Sequence, residues 1–221
     1  MVKVPQEIPN EITREIFSYA SLPLRVNRAG EFPWYLGHVC PAWRDVFLSM
    51  QLHFWSEIQI EWPDLFRHGN LSKYTERIID ILNFFLRCGQ QSPFSFRLYN
   101  ARFHLEEEAP FDQVLSILAQ ESKRWQRALL RLWPSHVPAL YRVKDSLPRL
   151  EYLDLVVWNP HSNGNESALL EPYLDLFETA PLLTQVKLEG SVWWEFDWST
   201  LVSLQMTAKD IGEAIYVALC T

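Results

Sequence analysis

The sequence predicts an α-β chain: a helical N-terminal unit, a linking helix, then a short, irregular solenoid with a parallel sheet. Three observations predict it. Before Pro93 the apolar residues recur three and four apart, the spacing of one helix face. After Pro93 they fall into apolar-x-apolar pairs within short runs, the period of a strand. Proline is common and glycine scarce, 14 against 7, so rigid punctuation separates the segments. The boundaries that follow are 1–62 for the helical unit, 63–93 for the linking helix and 94–221 for the repeat region. Ten tryptophans point to aromatic cores or aromatic contact surfaces.

Pro9 and Asn10 open the first helix, with Ile12, Ile16 and Phe17 at helical spacing. Residues 20–33 hold Pro23, Gly30 and Pro33 and read as a loop, followed by a short apolar piece of Trp34, Tyr35, Leu36 and Val39. A proline deep in a helix costs about 3 kcal/mol. At the first helical position it costs almost nothing, because that N–H has no partner anyway. A new helix therefore starts at Pro41, burying Trp43, Val46, Phe47 and Met50, with Arg44 and Asp45 outward. The clearest helix covers 72–88, capped by Ser72 and ended by Gly89 in a left-handed turn. Its apolar face is Tyr74, Ile78, Ile81, Leu82 and Phe85; Glu76, Arg77, Asp80 and Arg87 face water.

Strands are expected at "FSFRLYN" (94–100), "RALLRLW" (127–133), "LEYLDLVVW" (150–158), "LTQVKLEG" (183–190) and "LVSLQM" (201–206). Phe111, Val114, Leu115 and Leu118 mark one intervening helix. Leu169, Leu170, Tyr173, Leu174 and Phe177 mark another, with Ser167 as its cap. Each strand carries one apolar pair: Phe96/Leu98, Leu130/Leu132, Leu153/Leu155, Val186/Leu188 and Leu204/Met206. The steps are 34 (98 to 132), 23 (132 to 155), 33 (155 to 188) and 18 (188 to 206) residues. These bracket the roughly 20–29 residue period of leucine-rich repeats. The Asn or Cys that usually follows such a strand is missing in every copy. An ordinary α/β domain with buried parallel strands is the competing reading.

The chemistry is sparse. The sequence has no G-x-S-x-G, Walker, H-E-x-x-H or G-x-G-x-x-G motif, and its six histidines are scattered. Cys40 near His38 reads as a structural thiol at a helix start. Glu106, Glu107 and Glu108 read as a solvated run before a helix N-terminus. No catalytic residue, cofactor or metal is expected. A net charge of −7 opposes a nucleic-acid backbone, and the basic stretch at Lys123–Arg127 reads as a solvated face. Cys40, Cys88 and Cys220 form no disulfide framework. The N-terminus lacks the apolar region of a signal peptide, and no apolar run approaches the roughly 18 residues of a membrane span. The expected location is cytoplasmic or nuclear.

Four ordered motifs, the first of them in two halves, then carry a resemblance. "IPNEITREIF" (8–17) and "LGHVCPAWRDVFLSMQLHFWSEI" (36–58) resemble the two halves of an F-box. "RCGQQSPFSFRL" (87–98), "SKRWQRALLRL" (122–132) and "LPRLEYLDL" (147–155) resemble the stretches that follow it in fungal, basidiomycete-type F-box proteins with degenerate leucine-rich repeats. The match extends to about residue 206. Ile8 replaces the usual first Leu, Phe54 the Leu before Trp55, and Pro41 a common basic residue. After Met206 the pattern fades, where such relatives add more repeats.

The resemblance implies a three-helix F-box on a leucine-rich-repeat-like solenoid, acting as the non-catalytic substrate receptor of an SCF-type ubiquitin ligase. Its partners would be a Skp-family adaptor, through it a cullin scaffold, and a target protein; neither nucleic acid nor membrane. By matching positions, Ile8, Pro9, Ile12, Ile16, Val39, Cys40 and Trp43 form the F-box core and adaptor-facing surface. In such a sheet the residues flanking the apolar pairs reach the concave face and a target: Arg97, Tyr99, Arg131, Trp133, Asp154, Val156, Lys187 and Glu189. The alternative is a repeat scaffold whose helical N-terminus only caps the solenoid.

Overall fold

A computed structural model describes residues 8–20, 23–26, 34–50, 54–62, 71–100, 108–157, 171–189 and 194–207. Seven strands form one open parallel sheet in sequence order: β1 (Leu24–Arg25), β2 (Glu57–Trp62), β3 (Phe94–Asn100), β4 (Trp125–Leu132), β5 (Tyr152–Val157), β6 (Gln185–Glu189) and β7 (Ser203–Thr207). Against it stand α1 (Asn10–Tyr19), α2 (Pro41–Ser49), α3 (Leu71–Cys88) and α4 (Glu108–Gln120), with 3₁₀ segments at Trp34–His38 and Pro134–Val143.

Parallel neighbours need a crossover, and right-handed crossovers between sequential strands all return over one face. Burial follows that rule. The inward residues Ile58, Ile60, Phe96, Leu98, Ala128, Leu130, Leu153, Leu155, Val186 and Leu188 are all buried. Along β3 and β4 the alternate residues stay half-exposed or exposed, so that face of the sheet is open there, while on β5 its residues Asp154 and Val156 are buried. The inward rows are in register: Phe96 opposite Ala128, Leu98 opposite Leu130, then Leu153 and Leu155, then Val186 and Leu188.

That register corrects the sequence reading of β4. The pair aligned with its neighbours is Ala128/Leu130, not Leu130/Leu132, so the steps become 32 (98 to 130) and 25 (130 to 155). Ala128 hid the true pair because a single methyl weakens the apolar signal. The strand also begins earlier than expected, at Trp125.

Two strands were missed. β1 lies in the segment read as a loop, and β2 lies inside the expected helical unit, after α2. The sheet therefore runs through the boundaries expected at residues 62 and 93. Between Asn10 and Met50 the described residues hold two α-helices and one 3₁₀ segment, where the resemblance implies three helices. Where a helix was expected over 169–177, the described residues form a 3₁₀ turn at Glu171–Tyr173 and further turns. Ser167, Leu169 and Leu170 lie outside the described residues, as do Glu106 and Glu107.

The aromatic residues join the helices to the sheet. Trp43 meets Phe17 edge-on at 5.1 Å, Phe17 meets Phe54 at 6.4 Å, and Phe54 meets Phe47 at 4.6 Å. The chain of rings continues from Phe47 through Trp55, Phe85, Phe94 and Phe96 to Trp125. Aromatic pairs, most of them edge-to-face here, add about 0.5–1.5 kcal/mol each beyond their buried area. Three of the ten tryptophans, Trp43, Trp55 and Trp125, thus lie in one continuous seam.

Candidate interaction surfaces

α1 divides its residues sharply. Thr13 and Phe17 are buried, at 2% and 0% exposure. Ile12 and Ile16, one turn apart, remain 48% and 46% exposed, Tyr19 continues the row at 84%, and Ile8, just before the N-cap, is 45% exposed. Pro9 is exposed at the N-cap, where its carbonyl accepts the Thr13 N–H at 3.0 Å. Val39 and Tyr35, in the connection leading into α2, are exposed as well.

Cys40 and Trp43 differ from that row. Cys40 is half-buried and extended at the N-cap of α2, with φ −158° and ψ 168°, and Pro41 stands at the first helical position. Trp43 is half-buried against Phe17. Val46, Phe47 and Met50 complete the buried side of α2, while Arg44 turns outward and donates its Nε–H to the Gly37 carbonyl at 3.0 Å. The seven residues assigned together from sequence thus separate into an exposed set, Ile8, Pro9, Ile12, Ile16 and Val39, and two helix-anchoring residues.

The second surface is the open face of the sheet. Register places Arg97, Leu129, Asp154 and Lys187 in one row, and Tyr99, Arg131, Val156 and Glu189 in the next. Trp133 lies one residue past β4, extended and half-buried. Seven of the eight residues expected on this face therefore share it within two rows. Arg97 Nη2 lies 3.3 Å from Glu57 Oε1, and Lys187 Nζ 3.7 Å from Asp154 Oδ2. Arg131 reaches Glu189 at 4.0 Å across β5, over Val156, which is buried. Asp154 is buried too, and its Oδ1 has no hydrogen-bond partner among the described residues.

Arg124 is the residue that sequence reasoning misjudged. Lys123 and Arg127 are exposed, but Arg124, expected on a solvated face, is 5% exposed. Its Nε–H donates to the Ser92 carbonyl at 3.0 Å, its Nη1 to the Leu86 carbonyl at 3.3 Å and to Glu121 Oε2 at 2.9 Å. The guanidinium lies over the Phe94 ring, 5.2 Å from its centroid. It joins the "RCG" and "KRW" motifs, read separately from sequence, into one junction between α3 and β4. The carbonyls at the end of α3 need donors, and that requirement was the available signal.

Among the described residues no group of three or more His, Cys, Asp or Glu could hold a metal ion, and no helix is long and apolar enough to cross a membrane. No protein-family model matches this chain, and no match was found among curated proteins or solved structures. The fold itself defines an α/β protein with an open, sequentially ordered parallel sheet.

Proposed function

We propose that the chain is the substrate-recognition subunit of an SCF-type ubiquitin ligase. Its N-terminal helices dock on a Skp-family adaptor, which links to a cullin, and the open sheet face holds a target protein. The sheet serves as a short, irregular leucine-rich-repeat-like solenoid, a reading supported by its sequential parallel order. The protein supplies no side-chain chemistry; it raises the effective concentration of the target beside the ubiquitin-conjugating enzyme. Its place of action is the cytoplasm or nucleus.

The observation that carries this reading is the row Ile12, Ile16 and Tyr19, exposed on α1 with Ile8 exposed just before it, while Phe17 on the neighbouring face anchors the helix. A fully buried Ile contributes about 1.5–3 kcal/mol relative to an exposed one. A partner covering this row recovers about half of that at each half-covered Ile. The scaffold alternative is favoured by β1 and β2, which tie the N-terminal helices into the sheet as a cap would. A cap has no use for an outward apolar row, so the adaptor reading accounts for more.

The test is co-expression with a Skp-family adaptor and affinity capture. Ile12→Glu with Ile16→Glu abolishes capture and leaves the circular dichroism unchanged, because neither side chain belongs to the core. Capture that survives the double change, or no capture of the well-folded parent protein, sinks the proposal.

A further inference from the structure

The open face carries its charge in columns. On β3 and β4 it presents Ser95, Arg97 and Tyr99 beside Arg127, Leu129 and Arg131: three guanidiniums and no carboxylate. Glu57 and Glu61 on β2 lie to one side, Asp154 on β5 and Glu189 on β6 to the other. In a chain of net charge −7 this local positive stripe runs against the overall sign.

The three arginines remain reachable. The side chains of Arg97 and Arg131 are 42% and 40% exposed, and their carboxylate partners Glu57 and Glu189 are 36% and 46% exposed. Ion pairs this open to water are weak and easily exchanged. Arg127 is exposed and meets no carboxylate among the described residues; its guanidinium lies over the Tyr152 ring at 4.7 Å. Arg131 lies over Tyr99 at 5.5 Å. Stacking orients a guanidinium and leaves its N–H edge for an acceptor.

We propose that the β3–β4 stripe is where the open face takes an acidic segment of a protein, with Asp or Glu carboxylates exchanging for Glu57 and Glu189. This rests on the reading of the open face as the target surface and names the chemistry of the target. Arg127, Arg97 and Arg131 stand at successive levels, because Ser95 is opposite Arg127, Arg97 opposite Leu129, and Tyr99 opposite Arg131. Successive levels are about 6.6 Å apart, two residues of extended chain. A segment lying along the strands therefore meets all three arginines with acidic residues at every second position. A polynucleotide fits less well, since its phosphates extend beyond the stripe onto the flanking carboxylates.

The experiment measures fluorescence anisotropy of labelled peptides with the full chain at about 50 mM salt, where screening is modest. One peptide alternates Glu with Ser and Gly; the controls carry Gln for Glu, phosphoserine for Glu, or are a single-stranded oligonucleotide. The Glu peptide binds, the Gln peptide does not, and Arg127→Glu or Arg97→Glu weakens binding about tenfold or more. Arg127→Gln, a milder change, weakens it less. Equal binding of the Glu and Gln peptides, binding indifferent to both charge reversals, or binding of the phosphopeptide or oligonucleotide alone overturns the proposal. Adaptor capture by the same variants separates the two ideas. Variants that keep the adaptor while the parent protein ignores the Glu peptide sink this inference alone; loss of adaptor capture by the parent sinks the receptor reading.

Discussion

Gly89 leaves the space that Arg124 fills: a Cβ built on Gly89 would stand 2.9 Å from Arg124 Nη2 and 3.2 Å from the Trp55 carbonyl oxygen. The side chain has little freedom to withdraw, because Nε and Nη1 are held by the Ser92 and Leu86 carbonyls. Gly89→Ala is expected to destabilise by about 1–3 kcal/mol, the usual cost of overpacking. Arg124→Ala removes the donors from part-buried and buried carbonyls and costs about as much. Urea unfolding of the two variants and their combination tests this. The double change should cost less than the sum, because the methyl no longer meets an arginine.

The two sides of α1 should respond in opposite ways. Phe17→Ala empties a fully buried site between Trp43 and Phe54 and should cost about 3–5 kcal/mol. Ile16→Ala, one position earlier but on the exposed row, should stay within about 1 kcal/mol, a little above the usual surface range because its side chain is partly covered. Thermal unfolding of both variants checks the contrast. Similar losses at the two positions would place the isoleucine row in the core and remove the main support for an adaptor surface.

The sequence revealed elements whose signal is local and hid those that depend on neighbours. Pro41 announced the start of α2 because its missing N–H is harmless only there. α4 was legible because Phe111, Val114, Leu115 and Leu118 are all buried at helical spacing. β1 was not, since two residues carry no period. β2 carries the same apolar-x-apolar signal, Ile58 and Ile60 between Glu57, Gln59 and Glu61, but it lies inside the segment assigned to the helical unit. On α1 the apolar period was visible but not its meaning, because Ile12 and Ile16 look like core residues and Thr13 does not. The glycine after α3 was read as the left-handed residue, yet the positive φ of 46° belongs to Gln90. Gly89 is there for its missing side chain, a constraint set by Arg124, 35 residues later. The open face was legible because strand parity alone assigns it; the ion pairs across it required the register.

Pro41→Ala should leave α2 in place and cost only about 0.4–1 kcal/mol. The proline's fixed φ already suits the first helical turn, so its contribution is reduced freedom of the unfolded chain. Denaturant unfolding should show a shifted midpoint at constant slope. Loss of helix signal in circular dichroism would mean that Pro41 defines the helix start and does not merely tolerate it.

Alkaline pH should expose the junction of α3 with β2. Tyr74 donates its hydroxyl hydrogen to the Glu61 carbonyl at 3.4 Å, and its pKa is pushed up to about 12, first by burial and then by the nearby Glu61 carboxylate. The unfolded chain ionises this phenol near 10.0, so between pH 10 and 12 the folded state holds the proton more tightly than the unfolded one. Stability from this group is therefore fully present below pH 10 and falls as pH rises toward 12. Tyr74→Phe has no proton to lose, so the difference in melting temperature between parent and variant should shrink over that window as the parent weakens. Absorbance titration of the phenolates should show one tyrosine ionising last in the parent and missing from the variant. A difference in melting temperature that stays constant from pH 9 to 12 would mean that Tyr74 ionises as an ordinary exposed phenol.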